Sequence, residues 1–209
     1  MRFTKKDLEV FEVSNFADRM QIIADTIRPK LAKLGELLQP QLSRIVAHET
    51  YPHVAEHARR TINPPDETWV AFGPDAKGYK SYAHFALSVG AIGVQARIMV
   101  KQECKNRKLF GQNLITNAEK LKELKGNKEM FDYSHRNGGD RPLPVTDWVA
   151  FLTESGKKIK ESQTSIFDIG INLPLSGDLS SHAIQAFNRL SPFYSLGGNT
   201  GVSRPPRYY

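Results

Sequence analysis

Apolar residues recur at threes and fours from Phe16 through Met20, Ile23, Ile27, Leu31, Leu34 and Leu38. That spacing predicts an amphipathic helix with one stripe turned to a core. Pro29 falls inside the run, so either the helix kinks there or a second helix starts with Pro29 in its first turn. Ahead of it, Thr4 with Asp7 three residues on makes a short-chain capping box for a brief helix through Leu8 and Phe11. Pro40 is expected to close the long segment, with Leu42, Ile45 and Val46 adding a turn or two before His48.

The period then shortens to two. Trp69-Val70-Ala71-Phe72 predicts a short strand, and Gly73 to Gly78 a turn-rich loop. Tyr82, His84, Ala86 and Ser88 alternate with Ala83, Phe85, Leu87 and Val89. After a tight turn at Gly90 to Gly93, Val94, Ala96, Ile98 and Val100 alternate against Gln95, Arg97 and Lys101. Three strands over about 69–101, joined by short connections, make an antiparallel meander that can leave one face wet.

A helix is predicted over Glu103 to Lys125, packing through Leu109, Leu114, Ala118, Leu121 and Leu124 and ended by Gly126-Asn127. Its other side carries Lys105, Arg107, Lys108, Lys120 and Lys122, most simply a solvated face. Phe131 to His135 reads as a strand and Asn137-Gly138-Gly139-Asp140 as a turn. Thr146 is the expected cap of a helix through Trp148 to about Lys160, Ser165 to Leu173 a strand, and Ser180 or Ser181 the cap of a last helix to about Leu196. Strands come first in a run and then singly between helices. The fold class is therefore α+β, an antiparallel or mixed sheet flanked by helices, as one domain over 1–196 with a loose basic tail over 197–209.

Composition adds constraints. With 40% hydrophobic and 24% charged residues, the 209-residue chain can bury a sizeable core and is not disordered overall. A net charge of +7 favours anionic partners, from phosphorylated small molecules to nucleic acid. Cys104 is the only cysteine, which excludes a disulfide framework and a thiolate metal cluster. No window reaches the ~18 apolar residues of a membrane span, and the N-terminus has no secretory apolar stretch. A cytoplasmic protein without a membrane partner is expected.

The stretch from Tyr51 to Ser88 concentrates the chemistry: three of the six histidines, Arg59-Arg60, Pro64-Pro65 and several aromatics. A short helix after Pro52 would put His53 and His57 on one face, where two imidazoles can chelate a metal, with His84, His48 or Asp132 as a third ligand. No glutamate follows the first histidine as in H-E-x-x-H, and no metal is assigned. Arg59 and Arg60, with Lys77, Lys80, His57 and His84, form the best anion-binding set, since the guanidinium fork suits phosphate or carboxylate. Against that, one arginine of the pair is expected to pair with Glu56, Asp66 or Glu67 and brace the proline corner. On a nucleic-acid reading, Trp69, Tyr79 and Tyr82 would be the stacking groups, and Arg97, Arg204 and Arg207 could extend a path along the lysine face. Gly73 to Lys80 lacks the Gly-Lys-Ser/Thr ending of a phosphate loop, and no Gly-x-Ser-x-Gly elbow marks a hydrolase.

HARRTINPP, WVAF and KGYK-x-x-x-HF, with FTKKDLEVFEV and TIRPKLAKLGE earlier, resemble the YktB-like family of low-GC Gram-positive bacteria. The likeness covers about the first ninety residues well and the rest loosely. It implies an α+β fold with an antiparallel or mixed sheet. It implies no activity and carries over no catalytic residue. After His84 the chain departs from the family pattern, with Ala86, Ser88 and Ala91 in place of an aromatic-rich strand. The functional expectation is a small anionic or phosphate-bearing ligand, nucleic acid included, held by Arg59, Arg60, Trp69, Lys80, His84 and His57. The alternatives are an enzyme using His53, His57 or His84 as base or metal ligand, and a module that contacts another protein. No cofactor is implied.

Overall fold

The computed structural model describes residues 1–124, 127–134 and 142–198. The expected turn at 137–140, the helix stop at Gly126 and the basic tail from 199 onward lie outside the described residues.

The α+β expectation holds. Among the described residues, seven strands form one antiparallel sheet in the order β1-β2-β3-β4-β7-β5-β6. They are β1 (Tyr51–Val54), β2 (Glu67–Gly73), β3 (His84–Gly90), β4 (Gly93–Val100), β5 (Met130–Asp132), β6 (Leu143–Pro144) and β7 (Phe167–Leu173). The expected meander is β2-β3-β4, although Tyr82 precedes β3 instead of lying in it. Alternation sends Val70, Phe72, Phe85, Leu87, Ala96 and Ile98 to one face, where they join the buried core.

That face is covered by helices α3 (Arg28–Val46) and α7 (Leu179–Ser195), with Phe187 against both Phe72 and Phe85. The chain opens with α1 (Lys5–Glu9), whose Asp7 carboxylate accepts from both the Thr4 N–H and hydroxyl, as the capping pattern predicts. Helix α2 (Phe16–Ile22) passes through a wider turn at Ile23–Ile27 into α3, so Pro29 does sit in a first turn. Pro40 does not close α3. It lies on the exposed side together with Glu36, whose freed carbonyl can bond to water, and the helix runs on to a left-handed Ala47.

The predicted helix at 103–125 is two pieces, α4 (Arg107–Thr116) and α5 (Ala118–Lys122), interrupted at Asn117. Leu109 is exposed; Leu114, Ala118 and Leu121 do the packing. Arg107 is no solvated charge, because its guanidinium donates to the Ile159, Ser162, Gln163 and Ser165 carbonyls around the end of α6 (Trp148–Glu161). There it satisfies carbonyls that the helix leaves without an internal donor. Aspartates, not the expected Thr146 and serines, cap the last two helices: Asp147 accepts from Ala150 N–H, and Asp178 from Ser180 and Ser181 N–H.

Helices α4 and α6 cross in backbone contact. A Cβ on Gly111 would stand 2.6 Å from the Gly156 carbonyl oxygen, and one on Gly156 would stand 2.5 Å from that of Gly111. Neither neighbour is a side-chain tip that could swing away. Gly111→Ala or Gly156→Ala is therefore expected to destabilise by about 1–3 kcal/mol or more in chemical denaturation, despite alanine's better helix propensity. Gly78→Ala, with open space where its Cβ would go, should lie close to the parent.

Candidate functional site

The second face of the sheet carries different chemistry. The register places His53 beside Ala71, Ala71 beside Ala86, and Ala86 beside Arg97, with Trp69 paired to Ser88. Between the segment 55–60, the loop 75–81 and Gln102-Glu103 lies an open hollow of about 730 Å³.

His53 reaches this hollow from a strand, not a helix. Tyr51 and Val54 favour extended backbone, and Pro52 needs no N–H partner on an edge strand paired only with β2. His53 and His57 therefore do not share a helical face, and the chelating arrangement predicted for them is absent. His53 donates through Nε2 to the Asp75 carbonyl at 3.0 Å, fastening β1 to the 75–81 loop. Among the described residues no group of three or more His, Cys, Asp or Glu could hold a metal ion.

Arg59, Arg60, His57, Trp69 and Lys80 all line the hollow, with Lys77 and Tyr79. Arg60 does brace the proline corner, but through backbone, donating to the Asn63 and Pro64 carbonyls at 3.1 and 3.4 Å. Two of the three carboxylates expected for that role are bound elsewhere: Asp66 stands 3.7 Å from Arg19, and Glu67 is held by Arg97. Arg19 also donates to the Pro65 carbonyl, and Arg28 to that of Glu56. Arg59 is exposed and, among the described residues, makes no hydrogen bond or ion pair. Lys80 stands 3.9 Å from Glu103 across the mouth.

His57 has φ 54°, a left-handed backbone uncommon outside glycine. Its ring meets the Trp69 indole edge-on at 5.2 Å. Trp69 in turn donates from Nε1 to the Tyr79 hydroxyl at 3.1 Å. His84 is fully buried and does not line the hollow. It lies against Tyr79 with ring centres 4.7 Å apart, and its Nδ1–H donates to the Tyr82 carbonyl, leaving Nε2 as an acceptor without a partner among the described residues.

Burial disfavours the imidazolium form at both positions. The His57 pKa falls to about 4, with the Arg60 and Arg28 charges adding to the effect. That of His84 falls to about 3 in spite of its bond to the Tyr82 carbonyl. Both rings are neutral at pH 7. Burial likewise raises the Tyr79 phenol and lowers the Lys101 amine, whose Nζ stands 5.6 Å over the Trp69 ring. The Cys104 thiol is buried and pushed up, in keeping with a structural role.

The polar row of β4 holds what the pattern alone did not disclose. Arg97, read above as part of a nucleic-acid path, is buried: Nε donates to Asp168 Oδ1 at 2.9 Å, Nη2 to Oδ2, and Nη1 to both Glu67 oxygens at 2.7 Å. The Tyr133 ring covers the guanidinium at 4.6 Å. Burial works against this charge, but the Asp168 and Glu67 carboxylates outweigh it and hold the pKa above the usual value. Alternation put Arg97 and Asp168 on the polar side of their strands. Only the register that sets Arg97 opposite Gly170 shows that they meet.

Residues 3–194 match the domain of unknown function DUF1054. A UPF0637 protein of Oceanobacillus iheyensis is 30% identical over 199 residues, 93% of this chain and 95% of that protein. One from Enterococcus faecalis is 29% identical over 94% of this chain and 98% of that protein. A third, from Bacillus velezensis, is 45% identical over 89 residues, or 43% of this chain and 42% of that protein.

Removing the cation from the buried cluster while leaving its acids should be costly. Arg97→Leu is expected to lose about 3–5 kcal/mol in urea denaturation at pH 7, because two carboxylates are left without their counter-ion. The histidines predict a pH dependence. A ring whose folded pKa lies below the ordinary 6.5 takes up a proton on unfolding, so its contribution is complete above about pH 6.5. It is lost as pH falls toward 4 for His57 and 3 for His84, at up to about 1.4 kcal/mol per pH unit for each. His84→Phe should show a visibly shallower loss of stability than the parent between pH 6.5 and 4.

Proposed function

The chain belongs to the DUF1054 family, also designated UPF0637, and from the geometry of the hollow on the second face of its sheet we propose that it binds a small anionic, phosphate-bearing ligand there. The observation that carries this reading is Arg59, a guanidinium in the wall of a concavity with no carboxylate or carbonyl of its own chain bound to it among the described residues. Arginine's planar fork is suited to phosphate oxygens. Arg60 keeps donors beyond the one that holds the corner, and Lys77 and Lys80 face the same space.

Three acids share the lining, Glu56, Asp75 and Glu103. Asp75 is partly satisfied by the Lys77 backbone N–H at 2.9 Å. The Lys80–Glu103 pair is solvent-exposed and contributes little, so a ligand phosphate can replace it at small cost. Proline and three arginine-to-carbonyl attachments hold the 55–66 segment, which reduces the entropy lost when a ligand docks on it. An enzyme with His57 or His84 as its base has less support, since rings with pKa values near 4 and 3 are weak bases at neutral pH.

Thermal melting at constant ionic strength should rise by a few degrees with millimolar inorganic phosphate, phosphosugars or short oligonucleotides. The rise is expected to vanish in Arg59→Ala and to shrink in Arg60→Ala, each compared with its own ligand-free baseline. Lys108→Ala, an exposed change on α4, should respond like the parent. Absence of any response in the parent across these probes would end the reading.

A further inference from the structure

We infer that the ligand of this hollow is a nucleotide: a planar heteroaromatic base held against the ring-lined wall, with its phosphate at the guanidinium mouth. This rests on the anion-site reading above and goes beyond it by naming the organic part of the ligand. A bare phosphate or a phosphosugar would account for Arg59, Arg60 and Lys77. It would leave the rest of the wall unexplained.

That rest is a run of four ring side chains, His57, Trp69, Tyr79 and His53, all in the lining. They are contiguous: His57 lies 5.2 Å from Trp69, Trp69 Nε1 donates to the Tyr79 hydroxyl at 3.1 Å, and Tyr79 lies 5.8 Å from His53. Trp69 and Tyr79 are half-buried and so still offer apolar surface to a ligand. Rings interleaved with cations are the arrangement that binds bases and their phosphates together, because every base has a π-face and every nucleotide an anion.

The backbone supplies an independent observation. His57 occupies the left-handed region at φ 54°, which histidine adopts more readily than most non-glycine residues. That backbone sets its ring in the wall beside Trp69. Lys101, which is not in the lining, stands over the indole at 5.6 Å and fixes its ring. The hollow, at about 730 Å³, is of the size of small-molecule sites and takes a mononucleotide with room to spare.

The chain holds two tryptophans, and the other, Trp148, is buried in the core on α6. In a Trp148→Phe background the emission reports Trp69 alone. That protein would be titrated with AMP, UMP, ribose 5-phosphate and inorganic phosphate at fixed ionic strength, with melting temperature as a second readout. Both nucleotides are expected to quench Trp69 saturably and to bind at least tenfold tighter than ribose 5-phosphate. Trp69→Leu should bring the nucleotide-induced melting shift down to that of ribose 5-phosphate while keeping the response to phosphate. Tyr79→Leu serves the same comparison if Trp69→Leu does not fold. Should ribose 5-phosphate and phosphate match the nucleotides, with no change in emission, the base has no role and the anion site stands alone. If no probe alters melting or emission, the inference and the anion reading fall together.

Discussion

One buried cation organises the face of the sheet that the helices do not cover. Arg97 on the fourth strand lies between Glu67 of the second and Asp168 of the seventh, with the Tyr133 ring over its guanidinium. Taking three charges out of water is costly, and only near-complete hydrogen bonding offsets it. The arrangement is also exacting in register. A shift of one residue in the second or the seventh strand would turn an acid to the apolar side and leave the guanidinium with a missing partner. Gly170 is part of the same constraint: a Cβ there would come within 2.5 Å of the Arg97 side chain. With the cluster in place, Ser88, Gln95 and Asn172 can also be polar on this face, the first two bonded to each other and the last accepting from the Tyr133 hydroxyl.

The hollow begins where that sealed region ends. The sheet offers it His53 and Trp69, and its walls are two loops, each fastened by a few directed bonds. Arg19, Arg28 and Arg60 tie the 55–66 segment through the Pro65, Glu56, Asn63 and Pro64 carbonyls. His53 ties the opposite loop through the Asp75 carbonyl. With Arg60 bonded to backbone, Asp66 lies by Arg19 and Glu67 by Arg97, and Arg59 faces solvent. The same economy separates two kinds of histidine here: one that works as a strut, and two that burial keeps neutral beside aromatic rings.

Much of the scaffold was legible because it depends on local rules. The apolar stripe of 16–38, the period-two runs of 84–100 and 167–173, and the Thr4–Asp7 cap all need only neighbours in sequence to be recognised. Several misreadings arose because surroundings beyond the local sequence, a distant partner or the solvent, decided the outcome. Tyr51–Val54 is a strand because the second strand pairs with it, and the helix runs through Pro40 because that side meets water. Arg107 looked like one member of a lysine face and is a clamp on the end of another helix, a role invisible until α6 is placed beside it.

The same division runs through the site. The amino-acid order alone determined the α+β class, the polar and apolar sides of each strand, and the crowding of arginine, imidazole and indole groups into 51–88, since side-chain alternation and composition are properties of the chain itself. Which of those groups face a common space was settled only by packing. Strand register chose the partners of Glu67 and Asp168, loop closure put Arg59, Arg60 and Trp69 around one hollow, and burial drew His84 behind Tyr79. Charge and hydrogen-bond partners are assigned by distance in space, and residues as far apart as 97 and 168 acquire that distance only when the sheet has formed.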